Sequence, residues 1–261
     1  MSLAFGPHED VVYDDAPLRS VLAQVTFDPI LALISAAGAT GFQTAIRHLY
    51  PNAPDAEQRT GISVGEGKIG IQQSAPLWRF STPGEDWTVG LSAVSISLET
   101  PSYSNFGEFL ERFAFLLSVL HKTLRPSDSR RIGLRKINVI SLPDPSQPSS
   151  LAQRVRSELL GPLAWREFPA AIFGGGGQIH FKEDLNMLSV RYGIEGDSAT
   201  TADFILDLDY YTDTPHEING EGAIVALLKH FSEGSTDFFE WALMPDYKAE
   251  LRPHPRNADA S

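Results

Sequence analysis

The feature that most constrains this fold is a partial match of the chain with itself at a shift of about 110 residues. Residues 65–71 (GEGKIGI) align with residues 175–181 (GGGQIHF), and Thr100-Pro101 aligns with Thr214-Pro215. The shift drifts by a few residues, as loop insertions would produce, because loops tolerate changes in length better than helices and strands do. A period this long exceeds the roughly 20–50 residues of a solenoid repeat, so we expect a duplication into two half-domains related by a pseudo-twofold axis. A further match pairs Arg19, Leu22 and Val25 with Arg131, Leu134 and Ile137.

The composition suits a folded, soluble protein. The chain has 261 residues, of which 42% are hydrophobic, enough for one large core or two smaller ones. It contains no cysteine, which excludes disulfides, thiolate nucleophiles and zinc sites built on cysteine. No apolar run reaches the roughly 20 residues that span a bilayer, and residues 1–15 lack the basic flank and apolar stretch of a secretory signal. We therefore expect a cytoplasmic protein that does not bind a membrane.

The net charge of −12 limits the choice of partners. Non-specific nucleic-acid binding depends on lysine and arginine side chains that neutralise phosphates, so this acidity argues against a nucleic-acid partner. An acidic surface mainly promotes solubility, and it also suits a basic protein partner.

Hydrophobic periodicity predicts two consecutive β-α-β-β-β-α units. The clearest element is a helix over residues 106–124, whose apolar side chains recur every three or four residues and which Pro126 ends. Near the end of the chain we expect a weak point at Gly234 in the last helix and an edge strand over residues 247–251. The result is an α+β fold in which curved antiparallel sheets pack against long helices. The predicted division is an N-terminal arm (1–18), two half-domains (19–130 and 131–251) and a flexible tail (252–261).

Two such units in tandem resemble the saddle of the TATA-binding protein and related helix-grip folds, in which a long helix lies across a curved sheet. This resemblance concerns topology, and a fold does not determine a function. DNA binding by that saddle requires a basic concave face with aromatic wedges. The strand over residues 207–213 instead has the sequence DLDYYTD, which would repel phosphate. Its alternation favours polar side chains on one face and apolar side chains on the other.

Three motifs carry a second resemblance. They are a strand that contains Trp78 (LWRF), a tyrosine, Tyr103, shortly before the long helix, and the strand at residues 131–138 (RIGLRKIN). In these motifs the chain resembles a sporadically distributed family of uncharacterised bacterial proteins, with Lys136 in place of the usual tyrosine of the third motif. The resemblance implies no particular activity. The sporadic distribution of the family suggests an association with mobile genetic elements or defence loci.

The arginines of the third motif are the first candidates for a binding site. Arg131 and Arg135 share one face of the predicted strand, with Gly133 between them. Two guanidinium groups so placed can clamp a carboxylate or a phosphate through paired hydrogen bonds. The alternative, which we favour, is that they pair with acidic side chains of the other half-domain and fix the junction. Asn138 is expected to donate a hydrogen bond to a loop.

Trp78 and Tyr103 are the aromatic candidates. Aromatic side chains next to turns near a long helix usually fill a core. They can also line a pocket between helix and sheet, which is where helix-grip folds hold apolar ligands. The sequence leaves both interpretations open.

The sequence contains no recognisable catalytic or metal-binding motif. The glycines at 174–177 precede a strand and not a helix, unlike a P-loop or a dinucleotide-binding fingerprint, so we interpret them as a turn or bulge. The seven histidines are scattered without metal-ligand spacing, and no Gly-x-Ser-x-Gly elbow occurs. We therefore predict no catalytic residue, no metal and no cofactor.

These observations favour a non-enzymatic binding protein that acts through a protein partner, for example as a neutralising or regulatory component of a mobile or defence module. The alternative is a small-molecule binder that holds an anionic or apolar ligand in a pocket between the long helix and the sheet. Under both hypotheses the candidate binding residues are Arg131, Arg135, Asn138, Trp78 and Tyr103.

Overall fold

One large antiparallel sheet and a few helices form the structure, which confirms the predicted α+β class. It is a computed structural model, and it describes residues 5, 11–53, 60–65, 68–73, 76–103, 105–142, 148–164, 174–196, 202–219 and 222–255. The strands are β1 (Val11–Tyr13), β2 (Leu18–Phe27), β3 (Thr60–Gly65), β4 (Lys68–Gln73), β5 (Trp78–Ser81), β6 (Thr88–Ser92), β7 (Ser95–Thr100), β8 (Ser129–Ser141), β9 (Gly174–Glu183), β10 (Asn186–Glu195), β11 (Asp203–Thr212) and β12 (Pro253–Pro255). The α-helices are α1 (Ala36–Ile46), α2 (Phe106–Leu124), α3 (Ser157–Leu160), α4 (Ala223–Ala242) and α5 (Pro245–Glu250), with short 3₁₀ turns at Leu31–Ile34, Pro148–Gln153 and Gly161–Ala164.

Eight strands form the large sheet in the order β5-β6-β7-β2-β8-β11-β10-β9, and every neighbouring pair is antiparallel. From the centre outwards, one half of the sheet runs β2-β7-β6-β5 and the other runs β8-β11-β10-β9. The halves meet where β2 pairs with β8, and Ala23 lies opposite Leu134 in that pair. The two halves thus share one continuous eight-stranded sheet, and in the described part of the chain two further two-stranded sheets lie outside it.

The two glycine runs that align in the sequence occupy different places in the fold. Gly65 ends β3 and residues 68–71 lie in β4, and these two strands form a two-stranded sheet of their own, while residues 66 and 67 lie outside the described residues. Residues 175–181 fall in β9, an edge strand of the large sheet, at the position that β5 takes in the other half. The predicted equivalence of these glycines is therefore wrong. Nor do the glycines at 174–177 form a turn, since they all lie within β9.

The predicted match between β2 and β8 is also wrong, because it pairs side chains on opposite faces of the sheet. Val25 has no exposed surface, whereas its predicted counterpart Ile137 is partly exposed. Leu22 and its counterpart Leu134 show the reverse. Side chains alternate between the faces of a strand, so a displacement of one residue exchanges the buried set for the exposed set. An alignment of β2 with β8 that pairs buried residues with buried residues is therefore displaced by one residue from the predicted one.

Helix α2 begins and ends where the sequence predicts. The side chain of Asn105 caps its first turn by accepting a hydrogen bond from the backbone N–H of Glu108, at 2.8 Å. Arg125 adopts a left-handed conformation, with φ of 46°, directly after the last helical residue. The apolar stripe is buried, and its side chains without exposed surface are Phe109, Phe113, Leu116, Leu117 and Leu120.

Three long helices cover one face of the large sheet. In α1, Phe42 contacts Phe80 of β5, with 6.1 Å between ring centres. In α2, Phe109 contacts Trp87 at 5.9 Å, and α4 packs on β8 and β11. Along the described part of the chain, no helix is both long enough and apolar enough to cross a membrane.

Gly234 is a packing site and not the predicted weak point of the last helix. Helix α4 continues through it without a break. A Cβ atom at this position would lie 2.6 Å from the ring of Tyr210, which is fully buried and stacked on Phe231 at 4.7 Å. The glycine lets α4 approach the sheet closely enough for this aromatic ring to fit beneath it.

The predicted edge strand at residues 247–251 is wrong, because residues 247–250 lie in helix α5 and Leu251 directly follows it. Pro245 occupies the first turn of that helix, where its missing N–H costs nothing and its fixed φ suits the helix. After α5, strand β12 pairs with β1, and Arg252 binds Asp15 through two hydrogen bonds of 2.6 and 2.7 Å. The first part of the predicted flexible tail is thus paired with the N-terminal arm, while residues 256–261 lie outside the described residues.

Candidate functional site

The face of the sheet opposite the helices, called here the open face, carries the candidates Arg131 and Arg135 together with Asp207 and Asp209. These side chains alternate along β8 and β11 with residues that pack under the helices. The predicted polar and apolar faces of the strand at residues 207–213 are therefore confirmed. The buried side chains of β11 are Phe204, Leu206, Leu208 and Tyr210, each without exposed surface.

Arg131 forms an ion pair with Asp209 on the neighbouring strand. Its Nη2 atom donates to both carboxylate oxygens, at 2.9 and 2.8 Å. The guanidinium group lies 4.3 Å from the centre of the Tyr211 ring, and the side chain reaches it by crossing Gly133. A β-carbon at Gly133 would lie only 2.7 Å from the arginine, so the glycine between the two arginines leaves room for this side chain.

Asp207 is a buried carboxylate that accepts hydrogen bonds from two arginines. Arg135 binds it in bidentate fashion, from Nε and Nη2 at 2.7 Å each. Arg191 of β10 donates from Nε and Nη2 to one carboxylate oxygen, at 2.9 and 2.5 Å. Burial alone would raise the pKa of Asp207, but the hydrogen bonds from Arg135 and Arg191 outweigh it and hold the pKa below its usual value. The hydrogen bond to Asp207 likewise raises the pKa of Arg135, so the pair of Asp207 and Arg135 stays charged at neutral pH.

The pairing of Arg131 and Arg135 with carboxylates agrees with the interpretation that we favoured. The partners differ from those expected, because Asp207 and Asp209 lie on β11, in the same half of the sheet as the arginines. These ion pairs therefore do not fix the junction between the halves. The negative charges of Asp207 and Asp209 are neutralised, because the guanidinium groups of three arginines bind these two carboxylates.

Beside Arg135 and Arg191 the open face forms a cleft of about 540 Å³, which we call the glycine cleft. Gly176 and Gly193, which are paired across β9 and β10, contribute only backbone to its lining. Ile205 adds an apolar surface next to Asp207. The sequence did not point to Arg191 or to the glycine pair, because their meeting depends on the register of three strands. The run of glycines at 174–177 was the one feature of the sequence that could have indicated this cleft.

The space between α2 and the sheet, where a pocket was predicted for the alternative function, is filled in the described structure. The side chains of Phe109, Phe113 and Leu117 have no exposed surface there. On the sheet beneath the helices, Ala23 and Leu134 are equally inaccessible. The glycine cleft lies on the opposite face.

The other three predicted site residues lie apart from the arginines. Asn138 faces the helices, is buried, and donates from Nδ2 to the carbonyl oxygen of Leu206 at 3.3 Å, in a strand and not in a loop. Trp78 lies in β5 at the far edge of the sheet, and its indole N–H donates to the carbonyl oxygen of Leu33 at 2.9 Å. Tyr103 is partly buried against the core before α2. The structure thus places only Arg131 and Arg135 on the open face.

Lys136, which replaces a tyrosine in the family resemblance, is buried under α4. Its ammonium group donates to the hydroxyl and carbonyl oxygens of Ser232, at 2.9 and 3.1 Å, and to the hydroxyl of Thr236 at 3.1 Å. The charge also lies 6.0 Å from the centre of the Phe106 ring in α2. A buried lysine needs such partners, because an unpaired ammonium group in the core is very costly. The residue therefore links β8 to α4 and α2.

A cluster of three ionisable groups on the helix-covered face was not predicted from the sequence. Glu183 accepts a hydrogen bond from the hydroxyl of Tyr210, and His230 of α4 contacts the same carboxylate at 2.6 Å. Burial, followed by the hydrogen bond to Glu183, raises the pKa of Tyr210 well above its usual value. The cluster joins α4 to β9 and β11. Nothing in the local sequence signals it, because its members come from three separate elements.

Among the residues that the structure describes, no three histidine, aspartate or glutamate side chains are grouped so that they could hold a metal ion. In comparisons with known proteins, no family model matches the chain, and no curated protein matches its sequence.

Proposed function

We propose that this chain is a non-enzymatic binding protein that acts through a protein partner, and that the partner adds a β-strand to the outer edge of β9. The observation that carries the proposal is the difference between the two edges of the large sheet. One edge is short and covered, and the other is long and exposed.

The short edge is β5, which has four residues. Asn52 covers it through two backbone hydrogen bonds with Ser81, of 3.2 and 2.9 Å, and a third hydrogen bond from its side chain to the carbonyl oxygen of Thr82. Natural proteins commonly protect sheet edges in this way, by shortening or covering them. This edge therefore offers little backbone for another chain.

The long edge is β9, which has ten residues, most of them exposed. Within the described structure, residues 174–182 make backbone hydrogen bonds to β10 alone. The strand contains no proline, and its first four residues are glycines, which place no side chain in the way of an incoming strand. An exposed edge of this kind is a template for β-strand addition, in which main-chain hydrogen bonds supply affinity. The net charge of −12 favours a basic partner.

The resemblance to a sporadically distributed family supports a neutralising or regulatory role for the complex. Strand addition would suit such a role, because it captures an extended segment of the partner and thereby withholds that segment from other contacts. The absence of a recognisable catalytic motif in the sequence agrees with a role in binding.

The test is to purify the tagged chain from its native host and to measure hydrogen–deuterium exchange with and without the recovered partner. Binding at β9 should slow the exchange of backbone amides in residues 174–182. The amides of β5 serve as the control and should gain less protection than those of β9, because they respond only to the stabilisation of the whole sheet. Failure to recover a partner, or protection confined to other elements, would contradict the proposal.

We also infer that the two halves of the sheet arose by duplication and are related by a pseudo-twofold axis. The shared strand order supports this, and so do two matching turns. At the end of β7 the hydroxyl of Thr100 accepts a hydrogen bond from the backbone N–H of Ser102, and at the end of β11 Thr212 does the same for Thr214, at 3.1 and 3.2 Å. These turns match Thr100 with Thr212, and not with Thr214 as the sequence alignment does. In an experimental structure, a twofold rotation should superpose β2 and β5–β7 on β8–β11. A superposition that needs a different rotation would contradict the inference.

A further inference from the structure

We propose that the glycine cleft binds a small organic anion, whose carboxylate or phosphate group contacts Arg135 and Arg191 while a flat apolar body lies along the glycine pair. This inference does not depend on a protein partner at β9. It rests on the charges at one end of the cleft, on the bare backbone in its middle and on the acidic residue at its other end.

The cationic end of the cleft has hydrogen-bond donors to spare. A guanidinium group carries five N–H donors, and Arg135 and Arg191 each use only Nε and Nη2 to bind Asp207. In the described structure the Nη1 atom of each arginine makes no hydrogen bond. Asp209 and Glu99 also act electrostatically on Arg135, so the binding argument rests on the unused donors and not on a surplus of positive charge. An oxyanion at this point would accept hydrogen bonds from the N–H groups that Asp207 leaves unused.

Arg191 is the group that distinguishes a binding site from a simple ion pair. Arg135 alone satisfies Asp207 with a bidentate pair, in which the carboxylate is only 6% exposed. Arg191 adds a second cation to a carboxylate that is already paired, and its own side chain remains 56% exposed. The side chain therefore reaches the cleft while it is held in place by Asp207. Such a fixed and accessible guanidinium group is well suited to binding a carboxylate or phosphate.

The middle of the cleft has room for a flat group because the two paired glycines that line it carry no side chain, and the close approach of their strands excludes a larger residue at either position. A β-carbon at Gly176 would lie 2.0 Å from the carbonyl oxygen of Tyr192, and one at Gly193 would lie 2.3 Å from that of Gly175. Bare backbone therefore lies here, next to the apolar side chain of Ile205. The volume of about 540 Å³ is within the range of small-molecule sites.

Glu195 limits the ligand to one anionic group. It lines the far end of the cleft, four residues along β10 from Arg191, which is about 13 Å of extended strand. A second anionic group at that end of the ligand would meet the glutamate and be repelled. The geometry thus points to a monocarboxylate or a phosphate monoester with an apolar body, and disfavours a long dianion.

The experiment is a titration of the full chain with benzoate, phenyl phosphate, inorganic phosphate and benzylammonium, followed by NMR or calorimetry. Benzoate or phenyl phosphate should bind more tightly than inorganic phosphate, and benzylammonium should not bind. Preference between the two aromatic anions identifies the carboxylate or the phosphate as the natural group. Inorganic phosphate binding as tightly as either aromatic anion would overturn the apolar part of the proposal, and no binding of any anion would overturn it entirely.

The variant Arg191→Gln should weaken binding of the aromatic anion about tenfold or more, because it removes a charged hydrogen bond. Arg191→Lys keeps the charge and should lose less affinity. The matched control is Arg130→Gln, since Arg130 also donates from Nε and Nη2 to an aspartate, Asp28, at 2.8 and 3.0 Å, on the exposed surface. That control should bind as the wild type does. Equal affinity of Arg191→Gln and wild type, with an unchanged circular dichroism spectrum, would refute the site.

Discussion

Replacing Gly234 with alanine should destabilise the protein, although glycine-to-alanine changes inside helices usually stabilise. An alanine in a helix is favoured over glycine by about 0.8–1 kcal/mol. At Gly234 the added methyl group would lie 2.6 Å from the ring of Tyr210, a distance at which one of the two groups has to move. The ring cannot move aside, because it has no exposed surface, it is stacked on Phe231, and its hydroxyl donates a hydrogen bond to Glu183.

The size of the effect follows from these two opposing contributions. Overpacking of a core by one methyl group typically costs about 1–3 kcal/mol, which matches or exceeds the gain in helix propensity. The matched control is Gly41→Ala in α1, where the glycine is exposed and no atom lies within 4 Å of the new β-carbon. That variant should be more stable than the wild type, by about 0.4–1 kcal/mol. The two glycine-to-alanine changes are thus expected to have opposite signs.

Urea unfolding, monitored by tryptophan fluorescence, gives the free energy of unfolding of both variants. A double variant, Gly234→Ala with Tyr210→Leu, shows whether the ring is the cause, because the smaller side chain relieves the contact. In that background the Gly234→Ala change should cost less than it does alone. A Gly234→Ala protein as stable as Gly41→Ala, with the wild-type spectrum, would refute the close packing of α4 on Tyr210.

Three further predictions concern the sheet and the long helix. Asp207→Asn should lower the free energy of unfolding near neutral pH by about 1–2 kcal/mol, because it weakens charged hydrogen bonds from partly exposed Arg135 and Arg191. The folded-state pKa of Asp207 is lowered, so this stabilisation is present above its ordinary pKa of 3.8 and is lost as the pH falls through the lowered value. In urea unfolding at acid pH, the free energies of unfolding of the variant and the wild type should therefore converge. Phe113→Ala should cost about 3–5 kcal/mol, since the ring has no exposed surface, and a small change in the thermal unfolding midpoint would contradict that burial. Asn105→Ala should cost about 0.5–2 kcal/mol through loss of the helix cap, while Asn105→Asp should stay close to the wild type in urea unfolding.

Helix α2 could be predicted to the residue because all its signals are local. Its apolar side chains recur at helical spacing, Asn105 precedes it, and Pro126 follows it. The predicted edge strand over residues 247–251 is wrong even though the signals of helix α5 are also local. Tyr247 and Leu251 are four residues apart, which fits one face of a helix, and Pro245 marks a helix start.

The candidate site was predictable only in part, for a reason that lies in the geometry of sheets. Alternation along β8 placed Arg131 and Arg135 on one face, and the structure agrees. Their partners depend on which strand lies next to β8 and in which register. Asp207 is 72 residues from Arg135 along the chain, and Arg191 reaches it from a third strand. Periodicity within one strand contains no information about such long-range pairing.

The pairing of β2 with β8 makes each half of the protein the lateral support of the other. If either half came apart, the remaining central strand would be left with a row of unsatisfied N–H and C=O groups. Cooperative loss of the whole sheet is therefore expected, with no half persisting alone. An anion held at Arg191 would then slow amide exchange even in β7, across the sheet, in a strand that it never touches.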